Sequence, residues 1–435
     1  MTKSASSGFA LRMTEAHALF LYSKIKFGKV VIILPGFAKR MAVMEKSAAI
    51  IRGLFGAMND PDIISFGGGA PAKEALPVDV VREIANDVIR KDRRGVEALQ
   101  YGSVIGLHDL RSVVVNDLLA PKGVMAGEDN ILITSGGLEG MNLLCQLYIN
   151  PGDIILVESP TFVHCVEIFE MFEAKCVAVD MDDQGIVIED LESKIIKYKP
   201  KMVYIIPTFQ NPTGRTLSLS RRQKVAELGS KYDLIILEDD PYRDIRYSGS
   251  DLPPIKTFDE TGNTILANSF SKIFSPGSRL GYVLADDEVI KKLIDAKTAT
   301  NSHTSMLPQI ICAEFFKRGY YPEHHRMICS LYRERRDAMI ESIDKFFPEG
   351  TKRTFPDGGL FTWAELPGCI NTTDLLVEST SNPDVKVAFV AGEGFFTEGG
   401  GKGSNCMRIS FGSVSVEKIR TGAQRLGSLI CSKLK

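Results

Sequence analysis

The sequence lacks most of the features that mark a membrane, metal or nucleic-acid protein. None of its 435 residues fall in an apolar run near the ~20 residues needed to cross a bilayer, so no membrane span is expected. Fifty-two Lys and Arg face 54 Asp and Glu, a net charge of −2, which gives no basic excess for binding nucleic acid. The eight cysteines (Cys145, Cys165, Cys176, Cys312, Cys329, Cys369, Cys406, Cys431) are scattered without a CxxC pair. They read as reduced thiols of a cytosolic protein, not as a disulfide framework or zinc site. Six histidines show no HExxH or HxH spacing, and the adjacent His324 and His325 diverge by about 100° on a helix, so no metal site is expected. Repeats and low-complexity tracts are also missing.

What is present is an ordinary globular balance, 44% hydrophobic and 24% charged. At about 100–200 residues per domain, the length suits two or three domains, or one large α/β unit with a satellite. Residues 1–40 differ from the rest. They hold Lys3, Arg12, Lys24, Lys26, Lys29, Lys39 and Arg40 against the single acid Glu15, with a short apolar run, VVIIL, before Pro35. A basic, acid-poor segment is compatible with organelle targeting. The preferred expectation is an upstream extension over 1–36, disordered or artefactual, with the working protein starting near Phe37 or Met41.

From about residue 60, short β-branched runs alternate with helical patterns, which predicts an α/β sheet. Strands are expected at ILIT (131–134), IILVE (154–158), MVYIIP (202–207), LIILED (234–239), TILAN (264–268) and RLGYVLAD (279–286). Their nearly continuous apolar character suits a mainly parallel sheet covered by helices on both faces. Helices are expected between them, as at 221–232 and 288–299. Beyond about residue 325 a long amphipathic stretch leads into a second strand-rich section, predicting a smaller α+β domain from the C-terminus, joined by the arm before residue 75.

Four segments carry chemistry. In SFSKIFSPGSRLGY, Lys272 follows a strand, with Ser269, Ser271, Ser275 and Arg279 nearby. A nucleophilic amine needs a lowered pKa, while serine hydroxyls and a guanidinium suit a phosphate. In LIILEDDPYRDI, Asp239 stands where a buried strand reaches the carboxyl edge of the sheet, and Tyr242 follows three residues later. A buried carboxylate there requires a positive partner, and a protonated pyridine nitrogen meets that need. In IIPTFQNPTGRTLS, Asn211 offers an amide after another buried strand. In ILITSGGLEG, a strand turns through Ser135-Gly136-Gly137 into a helix, presenting free N–H groups to an anion. Phe162 in ESPTFVHC offers an aromatic face. Each segment alone also has an ordinary reading: a solvated lysine, a helix cap before Pro241, an Asn-Pro turn, tight packing, a core phenylalanine.

Together they resemble a fold-type I pyridoxal-phosphate enzyme, a class I/II aminotransferase of the 2-aminoadipate, kynurenine and aromatic branch. The resemblance runs from about Phe37 to the C-terminus through FAKRM, DIISFGGGAP, LQYGSVIGLHDLR, QNPTG, EDDPY, SFSKIFSPGSRLGY, FPDGGLFTW and MRISF, all in family order. It implies an arm over 37–75 that contributes to the small domain and the active site. A large domain binding pyridoxal 5'-phosphate would then span 76–324, and a small C-terminal domain 325–435.

The resemblance also implies roles. Lys272 forms an aldimine with the cofactor and shuttles protons. Asp239 pairs with the pyridine nitrogen, and Tyr242 and Asn211 bond the ring's 3-oxygen. Arg279, Ser269 and the amides of Gly137 and Leu138 hold the phosphate, while Phe162 stacks on the ring. Arg408 grips the substrate α-carboxylate, with Asn211 and Gly69 also at the substrate. Tyr101 reaches the phosphate of a partner subunit, implying a homodimer. The implied reaction moves the amino group of an L-amino acid to a 2-oxo acid such as 2-oxoglutarate in a ping-pong cycle, in the cytoplasm. The family pattern usually has Ser-Gln-Gln where this chain has Gly137-Leu138-Glu139, which removes one hydroxyl contact to phosphate, and Phe162 replaces a tyrosine common in close relatives. The residues leave open a carbon–sulfur β-lyase or decarboxylase. A transcription regulator with this domain as sensor is not expected, because no helix–turn–helix pattern precedes it. The substrate side chain is not legible, and a broad range is expected.

Overall fold

The computed structural model describes residues 60–434 and, before them, 24–27, 30–33, 36–38, 40 and 41. Most of the extension expected over 1–36, and the arm residues 39 and 42–59, lie outside the described residues. Two short strands, β1 (Lys24–Phe27) and β2 (Val30–Ile33), pair antiparallel.

The main sheet has eight strands in the order β4-β11-β10-β9-β8-β5-β6-β7. They are β4 (Ile131–Thr134), β5 (Ile154–Ser159), β6 (Lys175–Asp182), β7 (Gly185–Ile186), β8 (Met202–Ile205), β9 (Ile235–Asp239), β10 (Thr264–Ser269) and β11 (Gly281–Leu284). Strands β10, β9, β8, β5 and β6 are parallel neighbours. Strand β11 runs against both β10 and β4, so β4 points the same way as the parallel set. Strand β7 closes the far edge antiparallel to β6.

Period-2 alternation sends successive residues to opposite faces, and helices cover both. Leu132, Val157, Tyr204, Leu237, Ile265 and Val283 pack under α4 (Gly137–Tyr148), α5 (Val163–Met171) and α8 (Asp287–Thr300). On the other face, Leu156, Val203, Ile205 and Ile236 meet α6 (Ile188–Tyr198) and α7 (Leu219–Tyr232). Ile133, Leu266 and Tyr282 join a larger core with α1 (Val78–Val88), α2 (Arg93–Leu99), α3 (His108–Val113) and α9 (Met306–Lys317). This double coverage explains why the central strands carry no polar face.

The 26-residue helix α10 (Tyr321–Phe346) begins with Pro322 in its first turn, where the missing N–H has no helical partner to lose. It packs on α12 (Val416–Ser432), whose Ser415 caps it by accepting from Lys418 N. A second, antiparallel sheet follows the order β12 (Lys352–Arg353), β13 (Phe361–Glu365), β16 (Cys406–Ser410) and β15 (Val390–Ala391). Helix α11 (Thr372–Ser381) covers it. The short β3 (Ile64–Ser65) pairs in parallel with β14 (Val387–Ala388), tying the segment ahead of Gly67 to the C-terminal section. No helix among the described residues is long and apolar enough to cross a membrane.

This topology decides where chemistry can gather. Strands β4, β5, β8, β9 and β10 end at one edge, and the reversed β11 begins there. Ser135–Leu138, Phe162, Asn211, Asp239–Tyr242, Ser269–Lys272 and Arg279 therefore converge from distant parts of the sequence.

Candidate active site

Lys272 lies three residues beyond the end of β10, and its Nζ donates to the carbonyl of Gly69 at 2.6 Å. Burial of the amine, together with the cations Arg408 and Arg279, pushes its pKa down to about 8. The amine is 5.7 Å from the centre of the Tyr242 ring.

Asp239 ends β9 and is 6% exposed. Its Oδ2 accepts from the Tyr204 hydroxyl at 2.7 Å. Burial pushes its pKa up to about 7, opposed by the Tyr204 hydrogen bond, and Asp240 raises it further. Among the described residues no cation offsets that burial, so the carboxylate lacks there the partner that a buried charge requires.

Asn211 and Tyr242 connect the middle of the site, the Asn211 Nδ2 donating to the Tyr242 hydroxyl at 3.4 Å. The other end of the amide faces Arg408, whose Nη1 donates to Asn211 Oδ1 at 2.9 Å and Nη2 to Gly67 O at 2.6 Å. Arg408 comes from β16, opposite Trp363 of β13, and is 7% exposed. Its guanidinium sits 4.4 Å from the Phe361 ring centre and 5.3 Å from that of Phe395. Burial lowers its pKa to about 10, and its buried Nε has no hydrogen-bond partner among the described residues. An aromatic-walled guanidinium with an unused donor is built to receive a planar anion.

A second cluster of donors lies where β4 turns into α4. Gly136 has φ of +88°, and a Cβ on it would meet Arg279 Nη2 at 2.3 Å, so only glycine lets the guanidinium lie against this turn. Arg279 Nη2 donates to Ser135 O at 3.4 Å. A Cβ on Gly137 would lie 3.8 Å from Ser269 Cβ, and the Ser269 hydroxyl donates to that of Ser271 at 2.8 Å. The N–H groups of Gly137 and Leu138, which open α4, have no helical acceptors, so two serines, an arginine and a helix N-terminus meet at one turn.

The remaining expected residues stand apart from this network. Phe162 is partly buried at the start of α5, edge-on to His164 at 5.2 Å. Tyr101 is 86% exposed and meets His303 edge-on at 5.7 Å. Tyr204 carries no motif that marks it in the sequence, although a tyrosine inside a buried strand must find a partner for its hydroxyl. The packing of Phe361 and Phe395 on Arg408 is likewise unmarked there, because it depends on long-range contacts.

The residues fit a group with a ring cation, an aldehyde and a phosphate, because they offer an uncompensated buried carboxylate, an amine of lowered pKa and an anion hollow. The comparisons agree. Residues 61–426 match the family described as aminotransferase class I and II. The chain belongs to that family. It is a pyridoxal-phosphate-dependent aminotransferase of fold type I. The chain is 39% identical over 393 residues to aromatic-amino-acid aminotransferase 1 of Thermococcus litoralis, covering 89% of this chain and 93% of that one. Among solved structures it resembles the Pyrococcus horikoshii kynurenine aminotransferase in complex with PMP, with a TM-score of 0.86 and 36% identity over 92% of this chain and 98% of that one. It also resembles LysN, the α-aminoadipate aminotransferase of Thermus thermophilus complexed with N-(5'-phosphopyridoxyl)-L-leucine. There the TM-score is 0.81 and the identity 30%, over 91% and 99% of the two chains.

Proposed function

We propose that this aminotransferase takes the amino group of aromatic, branched-chain and 2-aminoadipate-like L-amino acids and gives it to a 2-oxo acid, 2-oxoglutarate first among them, in a ping-pong cycle. The observation that carries the reading is Arg408, held by Asn211 and Gly67 with one buried donor unpaired among the described residues, and close enough to the Lys272 amine to lower its pKa. Donor and acceptor share an α-carboxylate, so one guanidinium serves both halves of the cycle. The breadth of donors is supported by relatives named for aromatic amino acids, kynurenine and α-aminoadipate.

Bound pyridoxal phosphate supplies an electron sink for the carbanion left when the substrate α-proton departs. Lys272 would be the amine that holds it, and as a free amine would move the proton from and back to the substrate carbon, for which a pKa near 8 is well placed. Asp239 would keep the ring nitrogen protonated by answering its positive charge. Asn211 and Tyr242 would donate to the ring oxygen, Phe162 would offer its face to the ring, and Arg408 would fix the carboxylate, with Gly69 and Asn211 beside the substrate. Arg279, Ser269 and the Gly137 and Leu138 amides would hold the phosphate.

We place Tyr101, exposed in the single chain, against the phosphate of a partner subunit, making the working unit a homodimer with shared sites. The scattered thiols suit the cytoplasm. The reading is tested by incubating the holoenzyme with a panel of L-amino acids and 2-oxoglutarate. Stoichiometric glutamate and oxo acid are expected. Ammonia or CO2 release that needs no oxo acid would overturn the reading.

A further inference from the structure

The chain places a carboxylate at the turn proposed to hold phosphate. Glu139 is the third residue of α4, and its Oε2 accepts from the backbone N–H of Ser135, immediately ahead of Gly136 and Gly137. The same Oε2 accepts from Lys297 Nζ at 2.7 Å, and Oε1 accepts from the Asn301 amide. Lys297 stands in the last turn of α8, with its side chain 0% exposed, and its ammonium also donates to Asn301 Oδ1 at 3.1 Å. Asn301 reaches on to the Ser135 hydroxyl at 3.4 Å.

A negative charge in the first turn of a helix is favourable in itself, but it uses the positive end that a bound phosphate needs. A carboxylate beside a phosphate dianion is repelled unless a cation answers it, and the repulsion is strong away from bulk water. A fully buried lysine is equally costly without a counter-charge. Both costs cancel only if the two groups are kept together.

We propose that Glu139 and Lys297 form a charge-neutral positioning pair behind the phosphate hollow, in which Lys297 keeps the Glu139 carboxylate from opposing the cofactor phosphate. The inference rests on the phosphate placement proposed above. It makes Lys297 a determinant of cofactor affinity although it belongs to a helix with no other part in the site. It also gives a use to Glu139, which stands in the first turn of α4.

The test titrates apoprotein with pyridoxal 5'-phosphate and, separately, with pyridoxal, which lacks the phosphate. Lys297→Met is expected to weaken the phosphorylated cofactor roughly tenfold and to leave pyridoxal unchanged. Glu139→Gln is expected to bind the phosphorylated form at least as tightly as the unaltered protein. The double variant should return to within about threefold of it. Equal weakening of both ligands in Lys297→Met, or a double variant as weak as Lys297→Met, means a structural role and overturns the pair. If Lys297→Met does not fold, Glu139→Gln decides alone, since a loss of phosphorylated-cofactor affinity beyond about threefold contradicts the proposal. Arg279→Ala serves as the control for the hollow. If it leaves the preference for the phosphorylated form intact, the phosphate placement fails, not the pairing.

Discussion

The guanidinium of Arg408 and the amide of Asn211 meet at 2.9 Å although 197 positions separate them. One comes from the centre of the small antiparallel sheet and the other from the loop after β8, at the carboxyl edge of the main sheet. The contact joins the proposed substrate grip to the Asn211–Tyr242 pair, so substrate binding and ring chemistry share one polar chain.

Arg408→Lys keeps the charge but loses the planar fork. Loss of charge-assisted hydrogen bonding worth roughly 2–4 kcal/mol is expected to lower kcat/KM by about 30- to 1000-fold. The loss should be similar for amino donors and oxo acceptors, because both present the same carboxylate. Steady-state kinetics on both half-reactions check this, and a loss confined to one half would contradict it.

Asp239 carries a pH signature. Its pKa in the folded apoprotein is raised, from 3.8 in an unperturbed group to about 7, chiefly by burial. The sign follows: relative to the unfolded chain, stability from this group is complete below about pH 3.8 and is lost as pH rises through 7. The loss is at most about 4 kcal/mol. Asp239→Asn apoprotein should therefore lose less stability than the unaltered apoprotein between pH 5 and pH 8 in chemical denaturation. Parallel pH profiles would show that the carboxylate is not strained by burial.

Lys272 makes a complementary prediction. With a pKa near 8, about a tenth of its amines are free at pH 7, against roughly three in ten thousand for an ordinary lysine. Stopped-flow attachment of cofactor to the apoprotein should accelerate about tenfold from pH 6 to 7 and level off above 8. A rate still climbing at pH 10 would mean an unperturbed amine.

Much of this was legible in the sequence. The six expected strands correspond to β4, β5, β8, β9, β10 and β11, because fully buried strands are written as unbroken apolar runs. Apolar pattern carries no direction, so the reversal of β11 could not be read from it. Strand β6 was not picked out because only Ala178 and Val179 are buried and the charged Lys175, Asp180 and Asp182 break its apolar run. Asn211, Asp239, Ser269, Lys272 and Arg279 stood out because they end, follow or precede a strand in a short motif, whereas Arg408, inside β16, rested on the resemblance carried by MRISF. Tyr204 did not, since inside a β-strand it looks like any other core residue until Asp239 is seen beside it. Glu139 was visible as a departure, but its partner Lys297 lies 158 positions away and reads as one more helix lysine.

Tyr204→Phe tests that overlooked contact. Removing the hydroxyl leaves Asp239 less well fixed, for an expected loss of about 1–2 kcal/mol, or roughly 5- to 30-fold in kcat. Cofactor content should stay unchanged. Loss of cofactor instead of turnover would place Tyr204 in holding the fold and not in orienting the carboxylate.

The most direct measurement is the absorbance spectrum of the purified protein with pyridoxal phosphate, recorded beside Lys272→Ala. The unaltered protein is expected to show the band of lysine-bound cofactor, to lose it on adding an amino donor and to regain it with 2-oxoglutarate, while Lys272→Ala never shows it. A band that forms equally well in Lys272→Ala, or one that donor and oxo acid leave untouched, would contradict the account at its centre.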